Sequence, residues 1–135
     1  MINLDEIRFE YINLQHLPDT YQLDMTHYSF PCPIGTIWFR FLSDNETIEI
    51  LNSTTNTHWL RQGVRTFLSK KLLDDYPMCK RFSTGGGTES STPWMMNFGY
   101  KNKGTHFRVS RDVFLRKFEQ WKQHKQEPPQ DLQNN

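Results

Sequence analysis

The sequence predicts an α+β fold, in which an antiparallel sheet built from hairpins carries two amphipathic helices. Two observations lead to this fold class. Segments that alternate apolar and polar side chains, the period of half-buried strands, follow one another with short polar turns between them. Segments with the 3.6-residue period of a helix then follow the hairpins. The predicted order is β-β-β-β-α, a loop, and β-β-α, and consecutive strands joined by short turns pair in antiparallel fashion.

The clearest element is a hairpin over residues 35–51. Apolar side chains alternate with polar ones on both sides of the four polar residues 43–46. If these four residues form the loop, a single register joins the apolar side chains and one ion pair, which fixes the pairing of the strands. The predicted cross-strand pairs are Phe41 with Ile48, Phe39 with Ile50, and Arg40 with Glu49.

A second hairpin is predicted over residues 94–109. Its loop is residues 101–104, in which Gly104 supplies a left-handed turn position without steric cost. The predicted cross-strand pairs are Tyr100 with Thr105, Phe98 with Phe107, and Met96 with Val109.

A helix is predicted after each of these hairpins. Thr57 caps a helix predicted over residues 58–73, and Ser110 caps one that fades near residue 125. The first helix ends before Pro77, because a residue that precedes proline avoids the helical region. Two aspartates stand at this end, where acidic residues oppose the helix dipole.

Residues 4–16 fit two interpretations. Their apolar positions fit a helix that stops at Pro18, and they also fit a strand in which aromatic and β-branched residues alternate with charged ones. The aromatic and β-branched content favours the strand. Residues 21–26 alternate in the same way and are predicted to form the next strand.

Length and local composition predict one α+β domain over residues 1–126. Residues 83–92, which consist mostly of Gly, Ser and Thr, are predicted to form a flexible surface loop within it. Residues 127–135 contain Pro, Gln and Asn and are predicted to be a disordered tail.

Charge is sorted along the chain. Residues 1–57 carry two basic side chains against eight acidic ones, whereas residues 58–126 carry fourteen basic side chains against five acidic ones. The near-neutral net charge of +1 therefore hides a polarised chain. Such asymmetry between the halves indicates a polyanionic or acidic partner.

The basic residues of the C-terminal half are the candidate site. Nucleic-acid-binding proteins need such charge because neutralised phosphates release condensed counterions, and exposed aromatic side chains add base stacking. A competing interpretation is that these cations are solvated or are neutralised by the acidic first half of the chain. The predicted polyanion-binding residues are Arg61, Arg65, Lys70, Lys71, Asn97, Lys101, Lys103, His106, Arg108 and Arg111, and the predicted stacking residues are Trp59, Trp94 and Tyr100.

No catalytic or metal-binding pattern occurs in the sequence. The glycines of residues 83–92 lack the lysine and the following helix of a phosphate-binding P-loop, and no His or Cys residues stand at metal-ligand spacing. A nucleophilic Cys79 paired with His58 or His106 stays open, because such pairs meet in space rather than in sequence. We therefore expect no metal, no cofactor and no enzymatic activity.

These observations predict a non-enzymatic domain inside the cell, in the cytoplasm or the nucleus, that contacts DNA or RNA mainly through phosphates. The alternative is an adaptor or regulatory module that binds an acidic protein or self-associates. No signal peptide and no apolar run near the ~18 residues of a membrane span occur, so we expect no membrane partner. Cys32 and Cys79 are expected to be separate reduced thiols, although a single disulfide between them stays open.

Overall fold

Seven strands form one sheet and three helices pack against it in the parts of the chain that the computed structural model describes, residues 2–85 and 91–126. The strands are β1 Ile7–Asn13, β2 Tyr21–His27, β3 Gly35–Phe41, β4 Thr47–Thr55, β5 Arg81–Gly85, β6 Lys101–Asn102 and β7 His106–Ser110, and the helices are α1 Val64–Asp75, α2 Thr92–Asn97 and α3 Arg111–Gln126. Across the sheet the order of strands is β1-β2-β3-β4-β5-β7-β6. Only β4 and β5 pair in parallel among these strands, so the predicted α+β class with a mostly antiparallel sheet is confirmed.

The first predicted hairpin forms with the predicted register. The three predicted pairs stand opposite one another in β3 and β4, and Arg40 Nε lies 2.6 Å from Glu49 Oε1. Towards the start of β3 the register shifts, so that Trp38 stands opposite Asn52 and Leu51 is an extra residue of β4. This bulge divides β4 into two halves.

The N-terminal segment is a strand, as its aromatic and β-branched content predicted. Residues 4–6 form a single 3-10 turn, and β1 then pairs along its whole length with β2. Phe9 stands opposite Met25, which is fully buried, and Tyr11 lies on the same face of the sheet. The helix that was considered for this segment does not form, because pairing with β2 places its alternate side chains over the core.

The flexible loop predicted over residues 83–92 is wrong at both ends. Its first three residues belong to β5 and its last residue begins α2. β5 lies in the interior of the sheet between β4 and β7. Ser83 and Thr84 in β5 are polar and yet buried, so the segment lacks the alternation of apolar and polar residues from which a strand is predicted. Residues 86–90, the centre of the predicted loop, lie outside the described residues.

The second predicted hairpin is wrong in its first strand, which is helix α2 followed by a left-handed turn at Gly99 (φ 87°). Trp94 and Phe98 stack with their ring centres 4.9 Å apart. Side chains four residues apart are neighbours on a helix, so this contact stabilises a helix rather than a strand here. Gly104 takes the predicted left-handed conformation (φ 86°). The short hairpin that remains pairs Lys101 with Arg108 and Asn102 with Phe107.

Helix α1 begins at Val64 rather than at the predicted residue 58. Arg61 (φ 64°) and Gly63 (φ 87°) lie in the left-handed region, which interrupts any helix that starts at Thr57. Thr57 instead begins a single 3-10 turn.

The two aspartates at the end of α1 each pair with a lysine one turn earlier. Lys70 Nζ lies 2.6 Å from Asp74 Oδ1, and Lys71 Nζ lies 3.2 Å from Asp75 Oδ1. The hydroxyl of Tyr11 donates to Asp75 over 2.7 Å, which ties β1 to the end of α1. These contacts offset the unfavourable dipole and explain why acidic residues stand at this position.

The helices cover one face of the sheet. Phe39, Phe82 and Phe114 are fully buried in the core, and the rings of Phe82 in β5 and Phe114 in α3 meet with their centres 5.6 Å apart. Ser110 caps α3 as predicted, because its hydroxyl accepts a hydrogen bond from the N–H of Val113 over 3.2 Å.

Cys32 is exposed and Cys79 is buried, and they are unpaired, as expected. No helix in the described ranges is long and apolar enough to cross a membrane. The tail predicted over residues 127–135 lies outside those ranges.

The loop of the first hairpin depends on the carboxylate of Asp44. It accepts hydrogen bonds from the N–H groups of Glu46 (2.9 Å) and Thr47 (3.0 Å) and from the Thr47 hydroxyl (2.8 Å), and Arg81 lies 3.1 Å away. These donors, the N–H of Glu46 first, lower the pKa of Asp44 below its ordinary value of 3.8.

We expect Asp44→Asn to lower the melting temperature at neutral pH. A carboxyl whose pKa is depressed in the folded state contributes stability above its unfolded pKa and loses that contribution as the pH falls through its folded pKa. The difference in melting temperature between wild type and variant should therefore become smaller at pH values below 3.8, the ordinary pKa of an aspartate. Asp19→Asn, at an exposed position, is the control. A gap that does not change with pH contradicts the prediction.

Candidate active site

The predicted basic residues do not form one continuous strip. Lys70 and Lys71 are paired with aspartates of their own helix. Arg111 donates to the backbone carbonyls of Leu73 at 2.9 Å and Cys79 at 3.1 Å. These three cations are held in structural contacts, although their partners belong to the C-terminal half and not to the acidic first half of the chain.

The predicted stacking residues are engaged in the protein's own packing. Tyr100 is only 2% exposed. Trp94 contacts the guanidinium of Arg65, 4.1 Å from its ring centre, and stacks on Phe98. Trp59 packs on His27 with the ring centres 4.8 Å apart. None of the three is the open aromatic platform that base stacking requires.

The parallel strands β4 and β5 separate part of the way along their length. Thr47–Ile50 pair with Arg81–Thr84, and there the pairing ends. β4 continues along β3 as far as Thr55, whereas Gly85 of β5 pairs with His106 of β7. Among the described residues no strand pairs with the second half of β4 on this side. An opening therefore forms at the carboxyl ends of two parallel strands, a position at which such sheets bind ligands.

Beyond this opening the chain enters α1, whose first turn is uncapped. The N-cap residue is Gly63, which has no side chain to accept the free N–H groups of the turn, and no capping hydrogen bond forms among the described residues. Free N–H groups and the positive end of a helix dipole together favour the binding of an anion.

A cavity of about 370 Å³ lies at this end of α1. Arg65 lines it, half-buried, and makes no ion pair with any described residue. Burial lowers the pKa of Arg65 below its ordinary value, as expected of a cation without an anionic partner. The indole N–H of Trp59 is buried there and finds no hydrogen-bond partner in the described parts of the chain. The lining residues are Thr55, Trp59, Leu60, Arg61, Gly63, Val64, Arg65, Thr66, Trp94, Asn97 and Trp121.

A carboxylate and an imidazole lie where β5 departs from β4. Glu49 in β4 is 8% exposed, and its Oε1 accepts a hydrogen bond from Arg40 Nε over 2.6 Å. Its Oε2 lies 3.3 Å from Nε2 of His106, the residue that stands opposite Gly85. The other ring nitrogen of His106, Nδ1, lies 2.9 Å from the hydroxyl of Thr105.

This pair of side chains can accept a proton from a bound substrate. A carboxylate beside Nε2 favours the tautomer that carries the proton on Nε2, so the lone pair of Nδ1 accepts from the Thr105 hydroxyl and can act as a base when a substrate displaces that hydroxyl. The side chain of His106 is 38% exposed, so the base is accessible. The Thr105 hydroxyl is exposed as well and can be displaced by a substrate N–H group.

Cys79 is not placed to act as a nucleophile. It is 1% exposed, and its thiol donates to the carbonyl of Arg81 over 3.2 Å. Burial raises the pKa of Cys79, which keeps the thiol protonated and unreactive. The Cys–His pair that the sequence left open is therefore not supported.

The structure regroups the predicted site residues. Five of them line the cavity at α1, namely Arg61, Arg65, Asn97, Trp59 and Trp94. Four others line a second cavity next to β6, namely Lys101, Lys103, Arg108 and the buried Tyr100. Glu49 was missed as a functional residue because its predicted pairing with Arg40 accounted for it structurally. The uncapped turn was missed because a continuous helix was predicted across it.

Comparison with known proteins finds no matching protein family and no similar curated protein. Solved structures do match. An acetyltransferase of the GNAT family from Desulfovibrio desulfuricans matches with a TM-score of 0.61 at 11% identity, over 72% of this chain and 73% of that chain. GCN5 of Tetrahymena matches with a TM-score of 0.58 at 14% identity, over 68% of each chain. The N-acetyltransferase YhhK of E. coli, solved bound to coenzyme A, matches with a TM-score of 0.60 at 13% identity, over 73% of this chain and 77% of that chain.

The protein therefore has a GNAT-like α+β fold, and the predicted function is wrong. We expected a non-enzymatic domain that binds nucleic acid, or else an adaptor that binds an acidic protein or itself. The structures that share the fold are acetyltransferases, which are enzymes, and YhhK holds coenzyme A, a small molecule. The physical reason for the error is that the cations counted along the sequence are divided by the fold among ion pairs and separate cavities.

We expect Gly63→Ala to lower the free energy of unfolding by more than Gly104→Ala does. Both glycines have a left-handed φ, 87° and 86°, so each alanine costs about 1–2 kcal/mol. At Gly63 the added Cβ would also stand 2.7 Å from the ring of Trp121, whereas at Gly104 no described atom lies within 4 Å. The excess at Gly63 should be roughly 1–3 kcal/mol by urea denaturation. If the two alanine variants lose the same free energy of unfolding, Trp121 does not pack on the turn at Gly63.

Proposed function

We propose that the protein is an acyltransferase that moves an acyl group from a coenzyme A thioester to an amine. The observation that carries the proposal is the opening between β4 and β5, which has an uncapped helix end on one side and a carboxylate–imidazole pair on the other. The acetyltransferase fold supports it, as does the coenzyme A bound to YhhK, which has this fold.

The residues at the first turn of α1 fit the diphosphate of coenzyme A. Backbone N–H groups at a helix end bind phosphate oxygens, and arginine binds them through paired N–H donors. Arg65 has no anionic partner among the described residues, and Arg61 is exposed on the wall of the same cavity. The buried N–H of Trp59 is a further donor without a partner in the described chain. A diphosphate therefore supplies the acceptors that this cavity lacks.

The second half of β4 connects this cavity with the carboxylate. Thr55 lies six positions after Glu49, and at about 3.3 Å per residue this part of the strand spans roughly 20 Å, comparable with an extended pantetheine arm. No strand of the described chain pairs with this edge of β4. Its backbone N–H and C=O groups can therefore bind the amide groups of that arm as an added strand would.

His106 is the proposed general base, and Glu49 positions it. A coenzyme A thioester supplies an activated acyl carbon with a thiol leaving group. Nδ1 of His106 takes the proton of the attacking amine, while Glu49 holds the ring through Nε2 and stabilises the imidazolium that forms. Arg40 fixes the carboxylate through its 2.6 Å hydrogen bond. The C–N bond of an amide forms, the C–S bond breaks, and His106 can return its proton to the departing thiolate.

We also propose that residues 1–126 work as one domain inside the cell. Coenzyme A thioesters are metabolites of the cell interior. The unpaired cysteines also favour a reducing compartment.

The first test is binding of coenzyme A to the full chain by isothermal titration calorimetry. We expect Arg61→Gln and Arg65→Gln each to weaken binding by about 10- to 100-fold, because a hydrogen bond to a charged group contributes about 1.5–3 kcal/mol. Lys70→Gln is the matched control, since Lys70 lies near the opposite end of α1 in an ion pair. Equal binding by all three variants, or no binding by the wild type, would overturn the assignment of the diphosphate site.

The second test is catalysis. We expect release of free thiol from acetyl-coenzyme A in the presence of primary amines, and a fall in kcat of about 10²- to 10⁴-fold in His106→Gln. Glu49→Gln should also lower kcat and change its pH profile, because the imidazole loses the carboxylate that orients it. Neither variant should change the affinity for coenzyme A. Wild-type activity in His106→Gln would remove His106 from the mechanism.

A further inference from the structure

A second cavity, of about 630 Å³, lies between β6, β7 and α3, apart from the one at the start of α1. It is the larger of the two, and the proposed transfer reaction does not use it. β6 is only two residues long, so on the β6 side of β7 the residues Val109 and Ser110 have no neighbouring strand among the described residues. The cavity occupies this gap at the edge of the sheet.

Five cations without a described ion pair line this cavity. They come from three parts of the fold: Lys101 and Lys103 from β6 and the turn after it, Arg108 from β7, and Arg116 and Lys117 from α3. A sixth, Arg81, is neutralised by Asp44 and Glu46. No Asp or Glu of the described chain lines the cavity.

The arrangement of these cations is unfavourable in the absence of an anion. Lys101 stands directly opposite Arg108 in the ladder, and like charges in that relation destabilise a sheet. Elsewhere in the fold nearby cations are neutralised, as Lys70 and Lys71 are by aspartates. Like charges gathered around a cavity focus a positive potential in it, which attracts multiply charged anions.

The cavity is also partly apolar. Met96 is 58% exposed beside it, and the half-buried Val113 forms part of its wall. An inorganic ion does not use apolar contacts. The lining therefore suits an organic molecule that carries several negative charges on one part and carbon surface on another.

We propose that this cavity binds a small organic molecule bearing two or more phosphate groups. Arg108, Lys101 and Lys103 hold the phosphates from the sheet side, and Arg116 and Lys117 hold them from α3. Arginine pairs with phosphate oxygens through two N–H donors, and lysine binds them as a compact point charge. This site stands independently of acyl transfer, because it shares none of its lining residues with the cavity at α1.

Titration of the full chain with inorganic pyrophosphate, followed by calorimetry, tests the site. We expect Arg108→Gln and Lys101→Gln each to weaken pyrophosphate binding at least 10-fold, and the double variant to weaken it further. Arg8→Gln is the matched control, because Arg8 is an exposed arginine on β1 at the other edge of the sheet. The control should bind as the wild type does. Pyrophosphate should bind more tightly than sulfate, and its affinity should fall with salt.

Two further measurements complete the test. Saturating coenzyme A can displace pyrophosphate from the proposed diphosphate site at α1, but it should leave unchanged the pyrophosphate binding that Arg108→Gln weakens; loss of that binding would make the cavity part of the coenzyme A site and overturn the proposal. The melting temperature of Lys101→Gln without ligand should equal or exceed that of the wild type, because a like-charge pair is removed; a large decrease would show a structural role instead. Equal pyrophosphate affinity in Arg8→Gln and Arg108→Gln would also overturn the proposal.

Discussion

The parallel pairing of β4 with β5 is the constraint on which the rest of the structure depends. Parallel strands cannot be joined by a tight turn, so the chain must cross over the sheet between them, and α1 is that crossover. The crossing brings α1 so close to β3 that a Cβ at Gly35 would overlap Val64. Because β4 is longer than its pairing with β5, the same geometry leaves an opening beside its second half and places the start of α1 at the end of it.

Charge compensation separates structural cations from cations that can bind a ligand. Lysines near the end of α1 pair with aspartates, and Arg81 pairs with acidic residues of the first hairpin loop. Apart from Arg81, the cations of the two cavities lack such partners among the described residues. A cation that the fold leaves without an anion, half-buried as Arg65 is, carries a desolvation cost that an anionic ligand relieves. Net charge along the sequence cannot make this distinction.

Hydrophobic alternation predicted those parts of the fold in which local pattern and tertiary packing agree. The register of Phe39 with Ile50 and of Arg40 with Glu49 could be predicted, because only one pairing satisfied the core and the ion pair together. Residues 94–98 could not, because their aromatic side chains suit a strand face as well as a helix face, and the stacking of Trp94 on Phe98 decided for the helix. β5 escaped prediction because Ser83 and Thr84 are polar and yet buried, which breaks the alternation by which a strand is recognised.

The sequence by itself determined the α+β class, the first hairpin, the N-terminal strand and the cap of α3, since each rests on contacts between residues close in the chain or on a repeating pattern. Only the tertiary structure decided which residues meet at a site. Glu49 and His106 are 57 positions apart and become neighbours because β5 lies between their strands. Arg65 and Asn97 likewise meet at one cavity only through the packing of α1 and α2. Such meetings depend on strand order and helix packing, which residue spacing does not encode.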